Sequence, residues 1–392
     1  MTDHRHAQGS KTRLGVGIIG AGFISENYLG FLRQSDRIEL IAFGSRRSDH
    51  RSSSGSYGSL PLMSVEALLA DTRVDLVLNL VPAEAHAAVT LRCIAAGKHV
   101  YSEKPLATNL SDAAAIIRSA EDHGVLVGCA PDTFLGGAHQ AARNAIDAGL
   151  IGTPLAANAT FGSHGMEAWH PDPASFYAAG GGVGLDMGPY FITQLVNLLG
   201  PVARVVAETT IGAGERKILC GPREGEIIPV HSPTTVHGAL MFEAGCTASI
   251  SLSWDAWAYR PGSIEIHGTE GSLLLPDPNW FGGKVKLVDK QRTVHDLPLS
   301  CFAYARPNTV DLLDMPVADY RGAGLLDTVE AVLDRTVHRT SALMARHVLE
   351  VLLGLNIAGD RFESVGILSR VDRPAPLRGH SLPVPTDHLI FP

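Results

Sequence analysis

Short apolar runs alternate with amphipathic stretches from residue 14 to about residue 130. The runs are rich in β-branched residues and bounded by glycine or polar positions, which is typical of buried parallel strands. Strands are predicted at residues 14–19, 39–43, 74–80, 99–102 and 125–129, and helices at 26–34, 85–95 and 111–123, the last with Ser111 as its N-cap. Repeated strand–helix alternation predicts an α/β Rossmann domain with a doubly wound parallel sheet, whose ligands bind at the carboxyl ends of the strands.

The pattern changes after residue 132. Alternating apolar and polar positions, separated by turn residues, predict an α+β C-terminal domain with a largely antiparallel open sheet. Its strands are predicted at residues 155–161, 202–210, 235–242, 247–254, 262–267, 272–275 and 284–289, and its helices at 138–147, 191–199 and 341–355. We therefore divide the chain into a mobile tail at 1–12, the Rossmann domain at 13–132, the α+β domain at 133–365 and a C-terminal tail at 366–392.

A glycine-rich turn, Gly20-Ala-Gly22-Phe-Ile-Ser25, directly follows the first strand. Gly20 permits the tight turn, and Gly22 lets the backbone approach a diphosphate that binds at the N-terminus of the next helix. Ser25 replaces the third glycine of the usual motif and is still small enough for close packing of helix on strand. The motif alone is often accidental, but the strand before it and the helix after it predict a dinucleotide site that includes Phe23 and Ile24.

The end of the second strand bears on the choice of cofactor. Enzymes that use NAD usually place Asp or Glu here to bind the ribose 2′-hydroxyl, whereas this chain has Gly44-Ser45-Arg46-Arg47. A hydroxyl and two guanidinium groups suit a 2′-phosphate, so we expect NADP, with NAD possible. The alternative is that Arg46 and Arg47 only form a solvated loop.

Charge and cysteine usage narrow the class of protein. The net charge of −8 argues against nucleic acid or an anionic membrane as a partner, and we find no apolar stretch as long as a membrane span. Residues 1–11 are polar and do not look like a secretory signal. Five cysteines without CxxC spacing indicate reduced thiols, so a cytoplasmic location is expected.

A second motif, Glu103-Lys104-Pro105, follows the strand at 99–102, so it is expected at the same sheet edge as the glycine turn. It would place one ammonium roughly where a nicotinamide ring ends. In the second domain, Asp186 and Tyr190 stand four residues apart in a glycine-rich segment before an apolar helix. Each residue has an ordinary structural explanation, as a surface charge, an N-cap or a packed aromatic, but their joint occurrence in this order indicates a catalytic group.

These motifs, together with a segment Val81-Pro82…His86, occur in the order found in one family. The chain resembles the glucose–fructose oxidoreductase / inositol dehydrogenase / MocA (Gfo/Idh/MocA) family over residues 14–359. The resemblance implies hydride transfer between NAD(P) and a sugar, polyol or related small molecule. It also implies a substrate-binding C-terminal domain that often forms the interface of a homo-oligomer, here a dimer or tetramer. Cofactor contacts are implied for Leu80, Pro82, His86, Glu103 and Lys104.

The resemblance also implies that Lys104, Asp186 and Tyr190 form the catalytic group. Many members carry His where Tyr190 stands, and some members with Tyr prefer NADP, in agreement with Ser45-Arg46-Arg47. Removal of the alcohol proton needs a base, which is either Tyr190 as a phenolate stabilised by the lysine or Lys104 itself. Asp186 would orient the substrate hydroxyl or the lysine. At Pro131-Asp132-Thr133 the chain departs from a common family pattern, which leaves the substrate open.

Substrate contacts are expected in the irregular segment from His164 to Pro171. Trp169 offers a flat apolar face to a sugar ring, and His164 and His170 can bond hydroxyls. Trp254 and Trp257 would extend that wall or else pack the domain. No metal is expected, because no carboxylate or thiolate spacing supports a site.

The sequence thus predicts an NADP-preferring dehydrogenase or reductase acting on CH–OH groups. One alternative is a non-catalytic NAD(P)-binding regulator, although such a protein usually loses part of the catalytic group. The other is a family dehydrogenase acting on a non-sugar substrate, such as a dihydrodiol, an imine or a bile-pigment ring.

Overall fold

The computed structural model describes residues 11–20, 22, 24–45, 60–311 and 313–377. The chain divides into two compact units. Unit 1 contains the described residues up to Asp132 together with Arg321–Ala342. Unit 2 contains Thr133–Tyr320 and the described residues from Leu343 onward.

Strands and helices alternate in the first third of the chain. The elements are β1 (Leu14–Ile19), α1 (Ser25–Leu32), β2 (Ile38–Ser45), β3 (Leu62–Ser64), α2 (Val65–Ala70), β4 (Leu76–Asn79), α3 (His86–Ala95), β5 (His99–Ser102), α4 (Leu110–His123) and β6 (Val127–Cys129).

Strands dominate the rest of the chain. The elements are α5 (Gly137–Asp147), β7 (Pro154–Gly162), α6 (Ala174–Tyr177), α7 (Val183–Asp186), α8 (Gly188–Leu199), β8 (Val202–Thr210), β9 (Glu215–Lys217), β10 (Ile227–Pro229), β11 (Thr235–Phe242), β12 (Thr247–Ser253), β13 (Arg260–Gly268), β14 (Gly271–Leu275), β15 (Lys286–Asp289), β16 (Val294–Asp296), β17 (Thr309–Val310), β18 (Pro316–Val317), α9 (Ala323–Asp334), α10 (Ala342–Arg361) and β19 (Val365–Gly366).

Unit 1 is built on a six-stranded sheet in the order β3-β2-β1-β4-β5-β6, with every neighbouring pair parallel. This is the Rossmann strand order, which reverses its direction across the sheet between β1 and β4. Val16, Leu76 and Leu78 are fully buried, as expected for central strands in a sheet covered on both faces. The predicted doubly wound parallel sheet is therefore confirmed.

Helix α9 belongs to unit 1, whereas the predicted division placed residues 321–342 in the second domain. Leu325 and Val329 of α9 are buried in the same apolar cluster as residues of β1 and β4. The buried Asp132 carboxylate also accepts the backbone N–H groups of Gly322 and Gly324, each at 2.9 Å. The chain returns to unit 1 because these contacts complete its core.

The predicted N-cap of α4 was wrong. The helix begins at Leu110, and its N-cap is Asn109, whose Oδ1 accepts the Asp112 N–H at 2.9 Å. The Ser111 hydroxyl donates to the same Asn109 oxygen at 2.6 Å. Asn caps helices as well as Ser does, and here it stands two residues earlier.

Unit 2 contains a nine-stranded sheet in the order β16-β15-β14-β13-β7-β12-β11-β8-β19. Only β7 and β12 pair in parallel within it, so the predicted largely antiparallel sheet is confirmed. Helix α10 has 20 residues and, by length and composition alone, could cross a membrane, which corrects the sequence expectation. Because 67% of its most apolar window is buried, α10 is a core helix of this unit.

The start of the predicted C-terminal tail packs against unit 2. Arg143 of α5 donates to the Pro374 carbonyl at 2.9 Å, and Gln140 of the same helix accepts the Leu377 N–H at 2.8 Å. Residues 378–392 and residues 1–10 lie outside the described residues. All five cysteines are free thiols, as predicted.

Candidate active site

Gly20 and Gly22 of the glycine turn meet the conditions for which the sequence predicted glycine. Gly20 has φ +101°, and a Cβ atom there would lie 2.6 Å from the backbone carbonyl of Leu80, so only glycine fits. Gly22 is exposed, with no described atom within 4 Å of the place its Cβ would take. Ser25 is fully buried, and its hydroxyl donates to the Gly22 carbonyl at 2.7 Å. Ser25 thus closes the turn in place of the third glycine.

This turn leads into a helix N-terminus suited to an anion. Ile24 is the N-cap residue of α1, and its apolar side chain makes no capping hydrogen bond. The first N–H groups of a helix and its dipole favour a phosphate at such a position. The open approach at Gly22 and this helix end therefore fit the diphosphate of a dinucleotide.

Of the three residues predicted to select the cofactor, the structure describes Ser45. Ser45 is the half-buried last residue of β2 and pairs in register with Ser64 of β3. Arg46, Arg47 and Phe23 lie outside the described residues, so their predicted contacts remain predictions.

The loop after β4 is held by backbone contacts. The Leu80 N–H donates to the Ile19 carbonyl at 2.8 Å, which fixes the β4 end beside Gly20. The buried His86 ring has Nδ1 2.6 Å from the Pro105 carbonyl and Nε2 2.8 Å from the Val81 carbonyl. Both ring nitrogens thus face backbone oxygens, and the cofactor contact predicted for His86 remains a prediction. His86 thus holds the loop after β4 and the loop after β5 together.

Pro82 lies in the loop after β4, and Lys104 lies in the loop after β5. The Pro82 carbonyl accepts the Ala85 N–H at 2.8 Å and so starts the short helical turn that leads into α3. Lys104 is half-buried and follows β5 at the same carboxyl edge of the sheet as Gly20. Unit 1 therefore places Gly20 and Lys104, the predicted contacts of the diphosphate and the nicotinamide, at one edge of the sheet, and Gly20 lies where the strand order reverses between β1 and β4.

Glu103 connects this edge to the helix behind the glycine turn. Its Oε1 accepts the Tyr28 hydroxyl at 2.7 Å, and its Oε2 accepts the backbone N–H of Lys104 at 2.9 Å. The Glu103 N–H donates to the Asn79 carbonyl at 2.9 Å, in continuation of the β4–β5 pairing. Both oxygens of the Glu103 carboxylate are thus hydrogen-bonded within unit 1, and the cofactor contact predicted for Glu103 remains a prediction.

Asp186 and Tyr190 lie together in unit 2. Asp186 ends α7, and Tyr190 is in the first turn of α8. Met187 joins the two helices with φ −89° and ψ −33°, so the backbone continues in a right-handed helical path. Residues four apart on such a path share a face, and both side chains are half-buried. The predicted pair is therefore presented on one side of the helix.

The predicted substrate segment forms an aromatic cluster in unit 2. His164 stacks on Trp257 with ring centroids 3.4 Å apart, and Trp169 contacts His170 edge-on at 5.5 Å. Trp257 and Trp169 are 82% and 41% exposed, so both side chains are accessible to a ligand, although His164 covers one face of Trp257. Trp254, in contrast, is buried against Tyr177, which agrees with the alternative that it packs the domain.

His170 is prepared to donate from one nitrogen. The Asp172 N–H donates to its Nδ1 at 3.1 Å, so the proton of the neutral ring is on Nε2. Burial lowers the pKa of His170, while the charges of Asp172 and Asp186 oppose that shift. His170 is therefore within electrostatic range of Asp186, which links the aromatic cluster to the predicted catalytic pair in the same unit.

A buried ion network beneath this segment was not predicted. Glu167 lies between His164 and Trp169, and it accepts Arg216 Nη1 at 3.0 Å through one oxygen and the Tyr177 hydroxyl through the other. Arg216 also pairs with Asp255, which follows β12. The side chains of Glu167 and Arg216 are only 3% and 7% exposed. The sequence signal was weak: a lone Glu among aromatics, whose partner lies 49 positions away.

Comparison with known proteins agrees with this geometry. Residues 14–130 match a family model described as an oxidoreductase family with an NAD-binding Rossmann fold, and residues 139–274 match the GFO/IDH/MocA C-terminal domain. The chain is 31% identical to a 1,5-anhydro-D-fructose reductase of Ensifer adhaerens over 266 residues, which cover 66% of this chain and 74% of the relative. It is 26% identical to a trans-1,2-dihydrobenzene-1,2-diol dehydrogenase of Bos taurus over 268 residues, covering 67% and 74%.

A solved structure also shares the fold. A levoglucosan dehydrogenase in complex with NADH and L-sorbose matches with a TM-score of 0.76 and 19% identity, over 91% of this chain and 99% of that one. The motifs, the Rossmann strand order, the antiparallel second sheet and both family matches lead to one conclusion. The chain belongs to the Gfo/Idh/MocA family of NAD(P)-dependent oxidoreductases.

Proposed function

We propose that the protein is an NADP-preferring dehydrogenase or reductase that acts on a secondary alcohol or carbonyl of a sugar, polyol or sugar derivative. The observation that carries the proposal is the anchoring of Lys104 at the carboxyl edge of the parallel sheet that also holds Gly20. The names of the relatives support it, since one reduces an anhydro sugar. The dinucleotide would be held by Gly20, Gly22 and the N-terminus of α1.

The preference for NADP rests on the end of β2. Ser45 ends that strand, Arg46 and Arg47 follow it, and the chain has no carboxylate between Glu39 and Asp49. A 2′-phosphate would take a hydroxyl and two guanidinium groups, whereas a free 2′-hydroxyl would call for an acceptor that is missing from this stretch.

The bound dinucleotide supplies or accepts the hydride, and the chain's own residues handle the proton. Lys104 or Tyr190 would accept it from the substrate hydroxyl during oxidation and return it during reduction. Asp186 would orient one of these partners. His170 would donate from Nε2 to a further hydroxyl, and Trp169 would cover an apolar face of the substrate.

The test is a turnover assay with purified protein. NADP or NAD is mixed with a panel of sugars, anhydro sugars, inositols and sugar acids, and the absorbance of the reduced nicotinamide is followed in both directions. Turnover that is faster with NADP and with a sugar or polyol supports the proposal. Binding of NADPH, seen by its fluorescence, without turnover across the panel would contradict it and favour a non-catalytic regulator.

A second candidate is the oxidation of a dihydrodiol. It is favoured by the similarity to a trans-1,2-dihydrobenzene-1,2-diol dehydrogenase and by the exposed side chains of Trp169 and Trp257, which also suit an unsaturated ring. The same assay with trans-dihydrobenzenediol separates the two, because a sugar enzyme should leave that diol unchanged.

A further inference from the structure

A buried tyrosine on α1 connects the glycine turn to Lys104. Tyr28 has no exposed surface, and its hydroxyl donates to Glu103 Oε1 at 2.7 Å. Burial, and then the charge of Glu103, raises the pKa of Tyr28 well above its usual value. The hydroxyl therefore remains protonated and acts as a donor throughout the ordinary pH range.

Both carboxylate oxygens of Glu103 have donors. Tyr28 occupies Oε1, and the backbone N–H of Lys104 occupies Oε2 at 2.9 Å. The carboxylate thus joins a helix that begins at the diphosphate site to the residue proposed to act near the nicotinamide. Hydrogen bonds to a charged acceptor are stronger than neutral ones and restrict its rotation.

We infer that Tyr28 is a positioning residue for Lys104, which acts by holding the Glu103 carboxylate against the Lys104 backbone. The inference rests on the role proposed above for Lys104. Without the hydroxyl, Oε1 loses its buried donor and the carboxylate is free to rotate. A carboxylate that turns toward the ammonium of the neighbouring residue favours the charged form of that lysine and weakens it as a base.

Unit 1 offers a matched control. Tyr101 is also fully buried, and its ring contacts that of Tyr28 edge-on with centroids 6.4 Å apart. Within the described part of the chain, however, the Tyr101 hydroxyl has no hydrogen-bond partner. Tyr28→Phe and Tyr101→Phe therefore remove the same atom from the same core, and only the first change releases Glu103.

The experiment measures the pH dependence of Lys104 acylation in the full chain. Trace acetic anhydride reacts with neutral amines, and mass spectrometry of the Lys104 peptide gives the midpoint of its reactivity. Lys98 is the internal reference, because its ammonium donates to the carbonyls of Asp71 and Val74 at 3.0 and 2.8 Å, away from Glu103. In Tyr28→Phe we expect the Lys104 midpoint to rise so that labelling at fixed pH falls about threefold or more.

The test compares the Lys104 labelling midpoint of Tyr28→Phe with that of Tyr101→Phe. A shift of Lys104 in Tyr28→Phe but not in Tyr101→Phe supports the inference. Equal midpoints in both variants and the parent protein, or an equal shift in both variants, overturn it. Since labelling needs no turnover, an inactive parent protein would refute the proposed function and still leave this comparison decisive.

Where the panel yields a substrate, kinetics give a second readout. Tyr28→Phe should lower kcat about tenfold while the KM for NADP changes by less than about twofold. A raised KM for NADP with unchanged kcat would assign Tyr28 to cofactor binding and overturn the positioning role.

Discussion

The buried pair of Arg216 and Glu167 gives the sharpest prediction about stability. Both side chains are less than 8% exposed, so water cannot replace either partner when the other is removed. Arg216→Met leaves the Glu167 carboxylate buried with the Tyr177 hydroxyl as its remaining side-chain donor among the described residues. Loss of one partner of a buried ion pair costs about 3–5 kcal/mol, and we expect a cost of that size in the free energy of unfolding.

A surface ion pair nearby supplies the control. Arg223 lies in the connection from β9 to β10 and pairs with Asp172 and Glu226, all at least one-third exposed. Arg223→Met removes the same charge from the same hairpin and should cost no more than about 1 kcal/mol. The comparison separates the effect of burial from that of losing a guanidinium group.

Tryptophan fluorescence during guanidinium unfolding is the assay. The four tryptophans, at positions 169, 254, 257 and 280, all lie in unit 2, so the signal reports on this unit. The double variant Arg216→Met, Glu167→Gln should recover at least about 1 kcal/mol relative to Arg216→Met, because it removes the charge of Glu167, the more deeply buried of the two carboxylates that pair with Arg216. If Arg216→Met costs no more than Arg223→Met, the reasoning fails.

Three further predictions concern chemistry, cofactor and pH. Lys104→Ala should lower turnover at least about 100-fold while NADPH still binds by fluorescence titration, and unchanged turnover would remove its assigned role. Ser45→Asp with Arg46→Ala should move the preference from NADP toward NAD, measured as the ratio of the two kcat/KM values, and an unchanged ratio would contradict the 2′-phosphate site. Burial lowers the pKa of His139 to about 4 from an ordinary value of 6.5, with Nε2 2.7 Å from the Trp280 carbonyl. Between pH 4 and 6.5 His139 is protonated in the unfolded chain but neutral in folded unit 2. The free energy of unfolding is therefore highest above pH 6.5 and decreases by up to about 3 kcal/mol as the pH falls toward 4. Unfolding of His139→Gln should depend less on pH in this window, and an unchanged pH dependence would contradict the assignment.

Much of the fold follows from local sequence pattern. The strands β5, β8 and β11 have the bounds predicted for them, because glycine, turn residues or a proline delimit each one. The three-residue strand β3 and helix α2 were missed, since three residues carry too little periodicity to identify a strand. The return of α9 to unit 1 was also missed, because it depends on contacts with Asp132, which lies about 190 positions earlier.

Residues of the candidate site also differ in whether the sequence could identify them. Gly20 could be identified from sequence because a backbone turn imposes its residue type. Tyr28 and Arg216 could not, because their partners are side chains 75 and 49 positions away and neither helix nor strand periodicity relates them. For His86, the sequence could not show that both ring nitrogens face backbone carbonyls, because the carbonyls belong to two different loops.

The two units differ in what holds their predicted binding residues in place. The dinucleotide edge of unit 1 is fixed largely by backbone demands, such as the positive φ of Gly20 and its approach to Leu80, which few substitutions satisfy. The aromatic segment of unit 2 is held from beneath by side-chain charges, chiefly the pair of Glu167 and Arg216. We expect that exposed side chains of this segment can be substituted without breaking the pair of Glu167 and Arg216, whereas loss of that pair would displace the segment. Substitutions at Trp169 should therefore alter which substrate is bound while leaving stability and NADP affinity nearly unchanged.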